Sequence, residues 1–236
     1  MFIGFPSTHS VEMAAYAGFD TVVLDNEHGM LSDEQIEHMT IAAELAGITP
    51  LVRVVSGDPT EILKALDRGA HGVHVPQVDS WEMAERVVEA VKYPPMGKRG
   101  AAFSMRAARY GTIPIHEYLE NANRETLIAI HIENTTALER LDEILSVPQL
   151  DLIYIGPTDL SVSLGHGGRI DHPEVLEAAD AIRDTARRHG VKIGIHTKNA
   201  IGAKQHLQWG ADFVCLTITS LLNDAMSSFV KNARRD

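Results

Sequence analysis

Four polar residues, Asp25-Asn26-Glu27-His28, follow directly on the apolar run Val22-Val23-Leu24, and similar junctions recur along the chain. Arg53 ends Leu51-Val52-Arg53, His131-Ile132-Glu133 closes another apolar run, and Leu152-Ile153-Tyr154-Ile155 leads into Gly156-Pro157-Thr158-Asp159. Charges at the ends of apolar runs are costly to desolvate unless they are paired or hold a cation. Glu133 and Asp159 form a hard oxygen pair suited to Mg²⁺ or Mn²⁺. Singly, each could equally cap a following helix; together with Arg53 and His28 they read as one site. His28 stands three residues after Asp25, close enough for a carboxylate to orient the imidazole and raise its basicity, as a general base requires. Arg53 carries a guanidinium shaped for a carboxylate or a developing enolate oxygen, with an ion pair to Asp25 or Glu27 as the less favoured reading. His131 shares a face with Glu133, because side chains two apart on a strand point the same way. It can therefore touch a metal or its water, or equally sit hydrogen-bonded in the sheet wall. Of the 12 histidines, His9, His71, His189 and His206 are expected on the surface or in packing.

The elements that must position these residues alternate from end to end. Apolar or β-branched runs at 2–5, 21–27, 49–54, 72–76, 126–133, 150–157, 192–197 and 213–218 predict eight strands. Between them, amphipathic patterns such as 32–46, 59–69, 80–91, 135–145, 173–189 and 200–209 predict helices, several opened by Ser, Thr or Asp and closed by Gly. Near-continuous apolar strands suit a parallel sheet covered on both faces. Eight βα units in 236 residues predict an α/β fold, a (β/α)₈ barrel forming a single domain over 1–236. A doubly wound sheet is disfavoured by the missing G-x-G-x-x-G turn. In such barrels the chemistry lies at the carboxyl ends of the strands, where the polar junctions fall. Residues 94–125 are too long for an ordinary connection and predict a functional loop with short helices. Gly165-His166-Gly167-Gly168 lacks the Lys-Ser/Thr ending of a phosphate loop and reads as a rim loop. The first strand begins almost at Met1, which leaves nothing to plug the barrel; either the chain is short or its start is set late.

Lys and Arg number 21 against 32 Asp and Glu, a formal charge of −11, which argues against a nucleic-acid partner. The basic stretch Lys98, Arg99, Arg106 and Arg109 is expected to border an anionic small-molecule site instead. A single cysteine, Cys215, forbids an intrachain disulfide. With no apolar run near the roughly 20 residues of a membrane span and no leader pattern, a soluble cytoplasmic protein with no membrane partner is expected.

Phe19-Asp20 followed by Leu24-Asp25-Asn26-Glu27-His28-Gly29, then Leu51-Val52-Arg53, Tyr93-Pro94-Pro95-Met96-Gly97-Lys98-Arg99-Gly100, Ile132-Glu133 and Ile155-Gly156-Pro157-Thr158-Asp159-Leu160-Ser161, occur in that order and spacing. Over nearly the whole chain this pattern resembles the HpcH/HpaI family of class II pyruvate aldolases. The resemblance implies a (β/α)₈ barrel that exchanges its eighth helix between subunits and assembles as a trimer or hexamer. It implies that Glu133 and Asp159 hold a divalent ion, Mg²⁺ or Mn²⁺ with Co²⁺ and Zn²⁺ as further options, which pyruvate chelates. Arg53 would stabilise the enolate oxygen, His28 supported by Asp25 would be the base, the backbone at Thr158 and Asp159, within Gly156-Pro157-Thr158-Asp159, would receive the carboxylate, and Asp67 would reach a neighbouring subunit's site. Three departures stand out: His131 replaces a usual Gln, Asn26 a usual Gly or Thr, and Thr158 a usual Ala. Rival readings are a Schiff-base aldolase using Lys198, an oxaloacetate-type lyase or decarboxylase on the same metal, and a silent binding paralogue. Arg106, Arg109, Tyr110, His166 and Arg169 are candidates for contacting the aldehyde partner, by loop position. Arg53→Ala and His28→Ala should each greatly reduce aldol cleavage in a steady-state assay; wild-type rates in both would overturn this assignment.

Overall fold

Residues 1–234 of the computed structural model form the described chain, whose eight parallel strands pair in chain order. They are β1 (Phe2–Ile3), β2 (Thr21–Asp25), β3 (Thr49–Arg53), β4 (Gly72–Val75), β5 (Leu127–Ile132), β6 (Leu152–Ile155), β7 (Lys192–His196) and β8 (Phe213–Cys215). The barrel closes where Phe2 N–H donates to the Leu216 carbonyl at 2.8 Å and Phe2 bridges Thr217 in parallel. The crossovers carry α1 (Thr8–Tyr16), α2 (Asp33–Ala46), α3 (Pro59–Asp67), α4 (Trp81–Val91), α5 (Ile115–Glu125), α6 (Thr135–Glu139), α7 (Leu141–Leu145), α8 (Pro157–Ser163), α9 (Pro173–His189), α10 (Ala200–Trp209) and α11 (Ile218–Ala233).

The period-2 alternation of the strands divides the core in two. Val22, Leu24, Val52, Val73, Ile130 and Ile153 point outward and are sealed beneath the helices. Phe2, Val23, Leu51, Tyr154 and Cys215 point inward and fill the barrel. Helix boundaries follow local chemistry. Ser32 and Gln35 form a reciprocal capping box on α2, and Gly47, Gly190 and Gly210 end α2, α9 and α10 at left-handed φ values that glycine adopts without penalty.

All eight expected strands form, each shorter than its apolar run at the carboxyl end. The reason is visible in β2: Asp25 Oδ1 accepts the N–H groups of Glu27 and His28 at 3.1 and 3.3 Å, which turns the chain out of the ladder. The helix expected over 135–145 is two, α6 and α7, broken at Arg140 where φ is −110°. The long segment 94–125 contains a 3₁₀ turn at Arg106–Gly111 and the whole of α5. Helices α1, α8 and α11 were not among the periodic stretches read from sequence. Their signals are short or, for α11, an apolar stripe that the barrel does not use: only Ile218 of its sixteen residues is buried.

Inside the barrel, Gly194 of β7 makes room for two aromatic rings. A Cβ there would stand 2.8 Å from Tyr154 Cδ2 and 3.3 Å from Phe213 Cδ1. Gly194→Ala should therefore overpack the interior and destabilise the fold by about 1–3 kcal/mol in urea denaturation. Unchanged stability would contradict this packing.

Candidate active site

The parallel register of β2 and β3 sets Asp25 beside Arg53, and their side chains meet in a two-pronged contact. Arg53 Nε and Nη2 donate to Asp25 Oδ1 and Oδ2 at 2.8 and 2.7 Å. Arg53 Nη1 lies 3.0 Å from Glu27 Oε2, and the guanidinium covers the Phe2 ring at 5.0 Å. The ion pairs that sequence reasoning ranked second are thus formed, to both carboxylates at once. Burial opposes the charge on Asp25, but Arg53 and the two backbone donors outweigh it and hold the carboxyl below its usual range.

This arrangement corrects the expected Asp25–His28 pair. Both Asp25 oxygens are taken by Arg53, Oδ1 also receives the turn's N–H groups, and the His28 ring stands in solvent, its side chain 66% exposed, with Nε2 3.8 Å from Glu27 Oε2. Asp25 supports His28 through the backbone, and Glu27 is the acid beside its ring.

Glu133 follows β5 and is buried. Its Oε1 accepts the Gln77 N–H at 2.8 Å, and Oε2 lies 3.5 Å from His131 Nδ1. Burial disfavours its charge, yet His131, the Gln77 N–H and Arg53 hold its carboxyl below the usual range. The opposite shift occurs at Glu27, which burial and the nearby Glu133 push up despite Arg53. Gln77 adopts φ +55°, a left-handed conformation that non-glycine residues rarely take, directly after Pro76. From sequence Glu27 enters only as a less favoured ion-pair partner of Arg53, and Gln77 is not singled out, because it acts through a left-handed backbone conformation that residue type does not announce.

Asp159 approaches from the next strand end. A Cβ on Gly156 would lie 2.7 Å from Glu133 Oε2 and 3.5 Å from Asp159 Oδ2, so the two carboxylates flank one notch that glycine alone leaves open. Hard oxygen donors around a small cradle fit a divalent cation such as Mg²⁺ or Mn²⁺. Gly156, Pro157 and Thr158 form the lip of that notch, where α8 begins.

His131 lies in the barrel interior, not at its rim. Its Nε2 is 3.1 Å from His74 Nδ1, and the Tyr154 ring packs against it, tilted by 35°, at a centroid distance of 4.9 Å. Burial, reinforced by His131, drives the His74 imidazole well below its ordinary value, so it is neutral. His196, at the end of β7, is pushed down to about 4 by burial, with Arg53 contributing. It lines a cavity of about 290 Å³ with Pro157, Thr158 and Lys198, the last standing exposed.

Other candidates lie at the opposite end. Asp67 ends α3, which runs antiparallel to the strands, and its carboxylate meets Arg99 at 2.9 Å. Arg106 pairs with Glu44, and Arg99, Arg106, Arg109 and Tyr110 line a cavity of about 1160 Å³ beside Thr21 and Thr49, the starts of β2 and β3. These arginines and Tyr110 therefore do not border the carboxylate mouth, in contrast to the sequence expectation. The larger cavity contains none of the strand-end carboxylates, so its size does not make it the reacting site.

A barrel with an arginine, a histidine and several carboxylates gathered at its carboxyl end is the architecture of a barrel enzyme. The description of the HpcH/HpaI aldolase/citrate lyase family matches residues 1–223. A 2-keto-3-deoxy-L-rhamnonate aldolase of Salmonella schwarzengrund is 35% identical over 230 residues, 97% of this chain and 85% of that protein. An HpcH/HpaI aldolase from Desulfitobacterium hafniense superposes with a TM-score of 0.93 at 31% identity, over 98% of this chain and 89% of that one. A family protein from Burkholderia cenocepacia reaches 0.94 at 28% identity, over 100% and 93%. The chain belongs to the HpcH/HpaI aldolase/citrate lyase family and is a carbon–carbon lyase.

Buried neutral imidazoles give this fold a pH dependence with a defined sign. As pH falls below about 6.5 the unfolded chain binds protons that His74 and His196 refuse when folded, so stability declines between about 6.5 and 4. Asp25 and Glu133, with lowered carboxyls, add to the loss at the acid end, and Glu27 opposes it. For His196 alone the effect is on the order of 3 kcal/mol. Thermal unfolding from pH 7 to 4 should show a falling Tm, with a shallower slope in His196→Asn; a flat Tm across this window would contradict the neutral interior.

Proposed function

We propose that this chain is a divalent-metal-dependent class II aldolase that cleaves a 4-hydroxy-2-oxo acid reversibly to pyruvate and an aldehyde. The observation that carries the reading is the charge balance at the mouth. Among the described residues Arg53 is the one guanidinium facing Asp25, Glu27 and Glu133, and Asp159 stands across the Gly156 notch from Glu133. Several partly desolvated carboxylates against one fixed cation leave a negative excess that a divalent ion relieves. Glu133 and Asp159 would hold that ion, with His131 behind Glu133. When bound, it supplies Lewis-acid polarisation of the 2-oxo acid's carbonyl.

The chain's own residues do the rest. Substrate carboxylate is received by the backbone N–H groups of Thr158 and Asp159 in the first turn of α8, where no helical acceptor is available. In the cleavage direction the exposed His28 imidazole takes the proton of the 4-hydroxyl as the C3–C4 bond breaks. The electron pair stays with the pyruvate fragment as its enolate, and Arg53 stabilises the enolate oxygen. Three of its N–H groups meet Asp25 and Glu27, and a guanidinium has five. The names of the curated relatives favour a 2-keto-3-deoxy sugar acid over 4-hydroxy-2-oxoheptanedioate as substrate.

Assembly belongs to the same reading. Helix α11 exposes Met226 and Phe229 to 56% and 74%, α10 buries no residue, and Met13 and Tyr16 on α1 are exposed. A helix exchanged between subunits would cover such faces, giving a homo-oligomer, trimer or hexamer, through which Asp67 could serve a neighbour's site. The buried thiol of Cys215 accords with a cytoplasmic enzyme.

Pyruvate incubated in D₂O with the protein and Mn²⁺ or Mg²⁺ should lose its methyl proton signal by NMR, and EDTA should stop the exchange. Exchange that survives EDTA and is blocked by borohydride would move the chemistry to Lys198, and no exchange under any condition would overturn pyruvate as the common product.

A further inference from the structure

Between α8 and α9 the chain folds two histidines and a glutamate onto one point, apart from Glu133 and Asp159. The backbone there is tightly wound: His166 N–H donates to Ser161 O at 2.8 Å, Arg169 N–H to His166 O at 3.2 Å, and His172 N–H to Arg169 O at 3.1 Å. Gly165, Gly167 and Gly168 adopt φ of +83°, +59° and +86°, which lets so short a segment double back. The result is a stack of His166 on His172, ring centroids 3.5 Å apart and planes 18° from parallel. Glu174 Oε2 lies 2.6 Å from His166 Nε2, and its backbone N–H donates to His172 Nδ1 at 3.3 Å. One donor atom from each of the three residues lies within 4.8 Å of the other two, the one such group of three found among the described residues.

We propose that His166, His172 and Glu174 form a second divalent-cation site, of a donor class that takes Zn²⁺ or Co²⁺. Two imidazoles and a carboxylate are the donors such ions prefer, whereas the all-oxygen pair Glu133 and Asp159 suits harder ions. Tetrahedral Zn²⁺, with ligands at about 2.0–2.2 Å, holds its donor atoms roughly 3.3 Å apart, so binding would draw the three donors together and swing the two stacked rings apart until their in-plane lone pairs converge. The surroundings are also suitable: the His166 side chain is 14% exposed and that of Glu174 63%, leaving an open side for water as fourth ligand. Ile170, between the two histidines, lines the 290 Å³ cavity beside Thr158. An ion at this site would pin that wall of the cavity. The proposal is independent of the roles given to Glu133 and Asp159.

The test counts metal on the full chain. Protein stripped with a chelator, loaded with Zn²⁺ and gel-filtered is analysed for zinc per chain by elemental mass spectrometry. His166→Ala/His172→Ala should carry one equivalent fewer than wild type, with an unchanged circular dichroism spectrum. Glu133→Gln/Asp159→Asn should retain that equivalent and, loaded with Co²⁺, show the visible absorption of a four-coordinate ion. Glu174→Gln, which keeps the side chain's size, should weaken Zn²⁺ binding by about tenfold or more. Equal zinc content in wild type and His166→Ala/His172→Ala would overturn the site and leave the cluster as a hydrogen-bonded histidine pair.

Discussion

The charge of Arg53 has to be neutralised inside a barrel mouth lined by apolar strands, and much of the site follows from how that is done. An isolated guanidinium there would be heavily penalised for lost hydration. The β2–β3 register supplies Asp25 as its bidentate partner, and Glu27 closes the other side. Because Asp25 also accepts two backbone N–H groups, the pair ends β2 and directs His28 outward. One ion pair therefore sets the strand end, the arginine's orientation and the exposure of the imidazole. The chemical consequence is that Asp25 acts as a clamp on Arg53 and on the turn, while the His28 ring stays solvated.

Glu133 is held by a different device. It draws one backbone N–H from Gln77, whose left-handed conformation aims that donor, and it faces His131 from within the barrel. Beneath it the barrel is filled by rings: His74 meets Phe2, His131 and Tyr154 edge-on at 5.9, 5.4 and 5.4 Å. Such packing supports the carboxylate rigidly, but it leaves His74 Nε2 and the Tyr154 hydroxyl buried without a partner. Polar atoms in that position lower stability. The interior thus trades some stability for a fixed floor under the candidate metal site, in keeping with the pattern by which functional sites break the rules of good packing.

The two ends of the barrel divide their tasks. The carboxyl end gathers unsatisfied charge, whereas at the amino end Arg99 and Arg106 are already matched with Asp67 and Glu44. Matched ion pairs of that kind organise a surface, and they leave little residual field to act on a substrate. Among the described residues no helix is long and apolar enough to cross a membrane, and apolar side chains stay exposed on α11, α10 and α1.

The near-continuous apolar runs, separated by helix-length amphipathic stretches, determined the eight strands, their parallel arrangement and the barrel, because burial on both faces demands continuous Val, Ile and Leu and leaves little choice of partner. The same pattern identified Asp25, Arg53, Glu133 and Asp159 as a group, since charges at strand ends of a barrel converge on one mouth. What the sequence could not determine was which of them touch. His28 lies three residues from Asp25 along the chain, yet Arg53, twenty-eight residues away, takes the carboxylate; a permanently charged, two-pronged partner held in register on the next strand outcompetes a single imidazole. Likewise the basic stretch around Arg106 looked close to the mouth in sequence, but a helical crossover carries the chain back to the strands' amino ends. The turn at Gln77 and the stacking of His166 on His172 depend on backbone dihedrals that residue identity permits without requiring, and those contacts were decided by the tertiary structure alone.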